Sequence, residues 1–334
     1  MASRAGQLGS VSIDLGAAIV AVTGGVPQIL TAQTGATEAP SGQRAIPGLP
    51  SGPFDPALHR TFEIGLRSWV SDQTGLELGY CEQLYTFGDR GRLKQPVASG
   101  PHAVSVGYLA LTRATAQTSS GNISSAFQPW YQFFPWEDWR KGRPALIDAL
   151  ILPALRLWSA DRAGQKLDAE RRLMPRPQRL ALCFGDGLTL WDEEKALERY
   201  ELLYDAGLIA EAWRDRGEAS PGETPLLGEA MRDDHRRILA TAIGRLRAKL
   251  KYRPVIFELM TDSFTLTALQ TTAEAISGRL LHKQNFRRLV EAGALVESTG
   301  ETTRTTGRPA ALFRFRREVM AERPSPGLRL GVRQ

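Results

Sequence analysis

The stretch TLTALQTTAEAISGRLLHKQNFRRLVEAGALVESTGETTRTTGRPAALFRFR, running from Thr265 to Arg316, decides the reading of this 334-residue chain. Leu266, Leu269, Ala273 and Ile276 recur at helical spacing, and Thr265 stands where an N-cap accepts a backbone N–H. Ser277–Gly278 turns the chain. A second helix, LHKQNFRRLVEAG, sets Phe286, Leu289 and Val290 on one face and Lys283, Gln284, Arg287 and Arg288 on the other, with Asn285 beside them. Two short helices joined by a glycine-containing turn form the helix-turn-helix pattern, whose second helix lies in the major groove. ALVESTG and RPAALFRFR then read as two strands of a wing, with Arg304 and Arg308 at its tip. Arg and Lys grip phosphates or read guanine edges, while Gln and Asn read adenine. Phe286 and Leu289 are expected in the core, not on a ligand.

The charge distribution agrees with an anionic partner at this end. From His235 to Gln334 there are 19 Lys+Arg against 8 Asp+Glu, leaving 23 against 28 in the rest of a chain whose net charge is +6. Such asymmetry favours nucleic acid first and a membrane surface second, with a solvated basic tail as the bland alternative. No apolar run approaches the ~18–20 residues of a membrane span. The N-terminus is too weakly basic for an export signal. Cys81 and Cys183 lie far apart and suggest neither a disulfide framework nor a metal site, so a reducing cytoplasm is expected.

Upstream, three regions are expected: 10–145, 146–232 and 233–320. In the first, SVSIDLGAAIVAV alternates as a strand, Gly24–Gly25 turns it and PQILTAQT returns. A Gly/Pro-rich loop leads to a helix over Ala57–Thr74, with Asp55 as N-cap, Pro56 at the first helical position and Gly75 as its stop. LELGYCEQLYTF and HAVSVGYLALT read as further strands. The second region is helical; EEKALERYELLYDAGLIAEAWR is its clearest amphipathic segment, burying Leu197, Leu202, Leu203 and Leu208. Trp139, Trp158 and Trp191 suit either dimer contacts or a core, and ASPGETP reads as a linker. The third region opens on a long basic helix, HRRILATAIGRLRAKLKY.

The stretch Ile46–Leu76 invites comparison with the Nudix box, G-x5-E-x7-R-E-U-x-E-E-x-G-U, whose glutamates bind magnesium. Anchored on Gly75–Leu76, the first Gly falls on Phe54 and the first Glu on Arg60. The Arg-Glu pair becomes Ser68 and Trp69, and the last Glu pair becomes Asp72 and Gln73. Only Val70, Gly75 and Leu76 persist, with the single acid Asp72. Hard divalent cations need clustered carboxylates. Neither a catalytic residue nor a metal ligand is therefore expected, and no hydrolase activity.

YCEQLYTFGDRGR, AVSVGYLAL and the C-terminal run containing FELM, FTLTALQ, NFRR and GRPA resemble the Nudix-related transcriptional regulators of bacterial NAD metabolism, the NrtR-like family. The resemblance covers roughly residues 10–135 and 235–316; the helical region between them points to the longer NadQ-type subgroup. It implies an α+β fold: a Nudix-like mixed sheet with helices, a helical insertion and a C-terminal winged helix-turn-helix. It further implies a homodimeric repressor of NAD biosynthesis genes, bound to a palindromic double-stranded DNA operator and tuned by NAD, ATP or ADP-ribose, with no membrane partner. The family's effector pocket maps onto Pro47, Gly48, Phe87, Arg90 and Tyr108. The rival from another class is a nucleotide-diphosphate hydrolase with an appended nucleic-acid-binding module.

Overall fold

β1 (Val11–Thr23) carries the sheet. Its alternation sends Leu15, Ala17 and Ile19 to one face and Ala18 and Val20 to the other, and all five are fully buried. A strand apolar on both faces needs covering on both. Gly24 and Gly25, both at positive φ, turn β1 into β2 (Val26–Gln33), its antiparallel neighbour. The other strands are β3 (Ser51–Pro53), β4 (Cys81–Phe87), β5 (His102–Leu111) and β6 (Ser124–Pro129). The order is β4-β5-β1-β2-β6, with β3 on the first half of β1. Among the described residues only β1 and β5 run parallel, so the sheet is mixed. This computed structural model describes residues 11–33, 46–89, 102–113, 124–187, 189–222, 226–304, 308–322 and 327–328.

Helix α1 (Phe62–Thr74) covers one face through Leu66 and Val70. It starts later than expected. Asp55 caps only a turn, its Oδ1 accepting from Ala57 N at 2.8 Å, and the helix is capped instead by Thr61, whose Oγ1 accepts from Ile64 N at 3.2 Å. Gly75, at φ 69°, ends it as expected.

The helical region follows β6. It comprises α2 (Leu152–Ala160, entered through a π turn over Ile147–Ile151), α3 (Arg162–Glu170), α4 (Arg176–Phe184), α5 (Ala196–Asp205) and α6 (Ala210–Arg216). The amphipathic segment over 193–214 forms two helices, because Gly207 adopts φ 72° after α5. Leu202, Leu203 and Leu208 are buried as their spacing implied, while Leu197 is half-buried at the edge of the same core. Trp139 and Trp191 meet in the core at 4.5 Å with 41° between their planes.

Helix α7 (His235–Tyr252) covers the second sheet face, contacting β1, β4 and β5, and also packs on α5. Its approach is closest at Ile238. Gly16 and Gly107 are register partners, and a Cβ on Gly107 would fall 2.9 Å from Ile238 Cγ2. The helix expected to open the DNA-binding region is thus also the sheet's second layer. Beyond it come α8 (Leu266–Ser277), α9 (Lys283–Ala292), β7 (Val296–Thr303), β8 (Ala310–Phe315) and α10 (Val319–Glu322). Among the described residues no helix is long and apolar enough to cross a membrane. Cys81 and Cys183 are free thiols, each pushed up to about 11 chiefly by burial.

These layers meet at one carboxylate. Glu137 is fully buried and accepts from Arg199 of α5 on both oxygens, at 2.5 Å on Oε1 and 2.9 Å on Oε2, and from Arg247 of α7 on Oε2 as well. Burial alone would raise its pKa, but the two guanidiniums more than reverse that and hold it below the usual carboxylate range. Removing one partner of such a group strands the others without water. Glu137→Ala is therefore expected to cost about 3–5 kcal/mol, read as a lower urea midpoint; an unmoved midpoint would mean that the arginines find other partners.

Candidate nucleic-acid interface

Thr265 caps α8 as expected, its Oγ1 accepting from Ala268 N at 3.0 Å. Gly278, at φ 71°, ends the helix. Glu274 then fixes the turn: its Oε1 accepts from Leu281 N at 2.8 Å and from Gln270 Nε2 at 2.9 Å. This sets the exit direction of α9, where Phe286 and Val290 are buried and Leu289 half-buried. Lys283, Gln284, Asn285, Arg287 and Arg288 are all exposed. β7 and β8 pair antiparallel, and Phe264 bridges to Phe313, tying the wing to the start of the helix-turn-helix. Arg304 and Arg308 are exposed where the strands end, flanking residues 305–307, which lie outside the described ones.

The basic charge of the C-terminal third is not all available to a partner. Every cation of α7 after His235 is held by an acid of the sheet or the helical region. Arg236 pairs with Glu211, Arg237 with Glu201 and Asp89, Arg245 and Lys249 with Glu82, Arg247 with Glu137, and Lys251 with Glu193 and Glu194. Lys283, Arg287 and Arg288, by contrast, make no ion pair among the described residues. The charge left facing solvent without a partner therefore includes the outer face of α9.

At the box-like helix, the positions where glutamates would stand do other work. Gln73 is buried with both ends of its amide used, Nε2 donating to Ser51 O at 2.6 Å and Oε1 accepting from Ser51 N at 3.2 Å. Trp69 donates to Pro53 O at 2.9 Å and lies flat on Gly52, where a Cβ would come within 2.3 Å of its ring. Ser68 and Asp72 are exposed and within 3.4 Å of each other. Among the described residues no three His, Cys, Asp or Glu side chains are placed to hold a metal ion.

The residues expected around an effector do not converge. Phe87 faces α7, its ring 4.6 Å under the Arg237 guanidinium, whereas Tyr108 is buried on the opposite sheet face with α1. Pro47 and Gly48 sit against the chain before α7. Arg232 N donates to Pro47 O at 2.9 Å, and a Cβ on Gly48 would fall 2.8 Å from His235 Nδ1. Arg90 lies outside the described residues.

A helix capped by threonine, a turn pinned by Glu274, an exposed cationic second helix and a strand hairpin together make a winged helix. Residues 256–315 match the NrtR DNA-binding winged helix domain. Over 82 residues the chain is 40% identical to the ADPR responsive transcriptional repressor NtrR of Acinetobacter baylyi, a stretch that is 25% of this chain and 33% of that protein. The chain thus spans about a third of the length of that curated relative. The NrtR of Shewanella oneidensis, solved in complex with a 27mer DNA, superposes with a TM-score of 0.52 at 19% identity, covering 92% of this chain and 95% of that one. A MutT/nudix family protein of Enterococcus faecalis superposes at 0.51 and 15% identity over 94% of this chain and 90% of that one. These likenesses establish the fold: a Nudix-type sheet that carries an NrtR-type winged helix.

In this NrtR-like arrangement, two residues that sequence reasoning passed over fix neighbouring segments to each other, one within the helix-turn-helix and one between α7 and the loop before β3. Glu274 is one, and only the spacing from Glu274 to the post-turn Leu281 hinted at it. The other is His235, whose buried Nδ1 accepts from Leu49 N at 2.9 Å. Burial, then the charges of Arg232 and Arg214, push its pKa down to about 3. Asp14 nearby is pushed up to about 6, by burial and then Asp233, with Arg232 opposing. The two act oppositely on stability. Between pH 6.5 and 3 the unfolded chain binds a proton at His235 that the folded chain refuses, so acid destabilises. Between pH 6 and 3.8 the folded chain holds a proton at Asp14 that the unfolded one lacks, so acid stabilises. From these two groups the wild type should lose stability between pH 6.5 and 6, change little down to 3.8 where the two slopes cancel, and lose more toward pH 3. Its difference from His235→Asn, measured by urea unfolding at several pH values, should change by a few kcal/mol between pH 6.5 and 3. A pH-independent difference would mean that His235 is charged or reaches solvent in the folded protein.

Proposed function

We propose that the chain is a cytoplasmic DNA-binding transcription regulator, a repressor of NAD biosynthesis genes, whose Nudix-like domain senses an NAD-related nucleotide without cleaving it. The observation that carries this reading is the exposed face of α9, whose Lys283, Arg287 and Arg288 make no ion pair among the described residues, on a segment matching the NrtR DNA-binding winged helix domain. Lys283, Gln284, Asn285, Arg287 and Arg288 enter the major groove, and Arg304 and Arg308 hold the backbone from the wing. The chain acts as a homodimer on a palindromic operator, with half-sites about 34–36 Å or a multiple of that apart. The effector is NAD, ATP or ADP-ribose; the Acinetobacter relative is named for its response to the last of these. Pro47, Gly48, Phe87, Arg90 and Tyr108 stay as candidates for shaping its site, the packed ones through the backbone they fix.

The absence of hydrolysis rests on donor chemistry. With Trp69 and Gln73 committed to β3, Asp72 is the sole carboxylate at the aligned glutamate positions, too few for magnesium.

The deciding measurement is fluorescence anisotropy of the full chain on DNA from upstream of NAD-biosynthesis genes, with and without each nucleotide. Tight, salt-sensitive binding that one nucleotide shifts is expected. Arg287→Ala should weaken it by about 1–3 kcal/mol. Equal affinity for scrambled DNA, or an Arg287→Ala chain that binds as tightly as the wild type, would return the winged helix to a generic basic module. Magnesium-dependent turnover of ADP-ribose would restore the hydrolase reading instead.

A further inference from the structure

A cavity of about 980 Å3 opens between the sheet and the wing. Tyr80, just before β4, and Arg113, just after β5, form one wall; the segment after α7, the end of β8 and α10 form the other. No residue of α8 or α9 lines it. Its size falls at the upper end of the ~300–1,000 Å3 of small-molecule sites.

Its lining combines two chemistries. Arg113, Lys249, Arg253, Arg314 and Arg317 are opposed by only Glu258 and Asp262 within the wall. Three of these cations have partners: Arg113 with Asp262 at 2.8 Å, Lys249 with Glu82 at 2.7 Å and Arg314 with Glu297 at 2.5 Å. Arg253 and Arg317 are exposed and make no ion pair among the described residues. The second chemistry is aromatic. Tyr80 and Phe264 join Phe257 and Phe315, which stack on each other at 4.3 Å with 19° between their planes. Guanidiniums recognise phosphate by paired N–H donors, and aromatic walls recognise flat rings. A duplex backbone would use the first chemistry and leave the second idle. A small anion that also carries a ring uses both.

We propose that this cleft binds a phosphate-bearing aromatic compound of the nucleotide class, with Arg253 and Arg317 on the phosphates and the rings of Tyr80 and Phe315 against the base. This rests on the reading of the chain as a nucleotide-responsive DNA binder, and it places a nucleotide site apart from Pro47, Gly48, Phe87 and Tyr108. The location supplies a route to the DNA-binding surface. The Arg113–Asp262 pair joins the end of β5 to the residues leading into α8, and Asp262 is almost fully exposed. A pair so exposed is held weakly, and a multiply charged anion in the cleft competes with Asp262 for Arg113. Binding then loosens a link between the sheet and the start of the helix-turn-helix without touching α9.

The test is anisotropy of the full chain with N-methylanthraniloyl-ATP as probe, competed by ATP, ADP-ribose and inorganic pyrophosphate. Arg253→Glu/Arg317→Glu should weaken probe binding by about tenfold or more with an unchanged melting temperature, and Asp262→Ala, which frees Arg113, should tighten it. Probe binding to the wild type that neither variant alters overturns the cleft while leaving a nucleotide sensor elsewhere in the chain. Absence of saturable binding up to about 1 mM overturns nucleotide sensing itself and leaves DNA binding standing. Displacement by pyrophosphate as effective as by ATP overturns the part assigned to the rings.

Discussion

One buried carboxylate organises this molecule. Glu137 has no water to solvate it, so it must be satisfied by the protein, and the two groups that satisfy it come from different layers. Arg199 brings α5, and its Nη1 also donates to Cys183 O and Asp192 O. Arg247 brings α7, and its Nε donates to Ile276 O in the last turn of α8 at 3.0 Å. The chain around Glu137 adds to the same joint: Tyr131 Oη donates to Ala275 O at 2.7 Å, and Trp139 N to Gly278 O at 2.7 Å. Gly278 must lack a side chain here, since a Cβ would meet Glu137 O at 2.5 Å. The turn of the helix-turn-helix is therefore seated on the sheet's own extension.

Ion pairs of this kind contribute less to net stability than to which arrangement is adopted, because desolvation offsets most of the Coulombic gain. What they exclude is any packing in which α7 rotates and leaves Arg236, Arg247 or Glu137 unmatched. The same pairing partitions the charge. The acids of the first two regions neutralise α7 internally, which separates structural cations from those on α9 and the wing. Of the basic third of the chain, the cations left without an internal acid therefore include Lys283, Arg287 and Arg288 on the outer face of α9, which localises positive field there.

The C-terminal unit was legible because its signals are local: a capping threonine, a glycine stop, apolar positions three and four apart and a polar hairpin each act within a few residues. The sheet core was legible for the same reason in the alternation of β1. What escaped was non-local. Nothing in HRRILATAIGRLRAKLKY distinguishes the buried Arg247 from the half-exposed Arg245, since their difference is set by Glu137, 110 residues away. The late start of α1 was hidden because Asp55 and Pro56 make a good cap for a turn as well as for a helix. The box comparison is a reading of residue types alone. That Trp69 and Gln73 clamp β3 follows only from the pairing of β3 with β1.

That clamp bears on why the sheet keeps this helix. A metal-binding α1 needs its carboxylates clustered and facing an open cleft. Here the amide of Gln73 spends donor and acceptor together on Ser51, and Trp69 occupies the space over Gly52. The two uses exclude each other at the same positions. Once α1 is spent on holding β3, β3 in turn anchors the loop through Leu49, whose N–H is fixed by His235 at the first residue of α7. The helix aligned with the Nudix box is therefore connected through β3 and His235 to α7, the helix that bears the winged domain, by a chain of packed and hydrogen-bonded groups. Trp69 and Gln73 thus take part in fixing the direction in which α7 leaves the sheet.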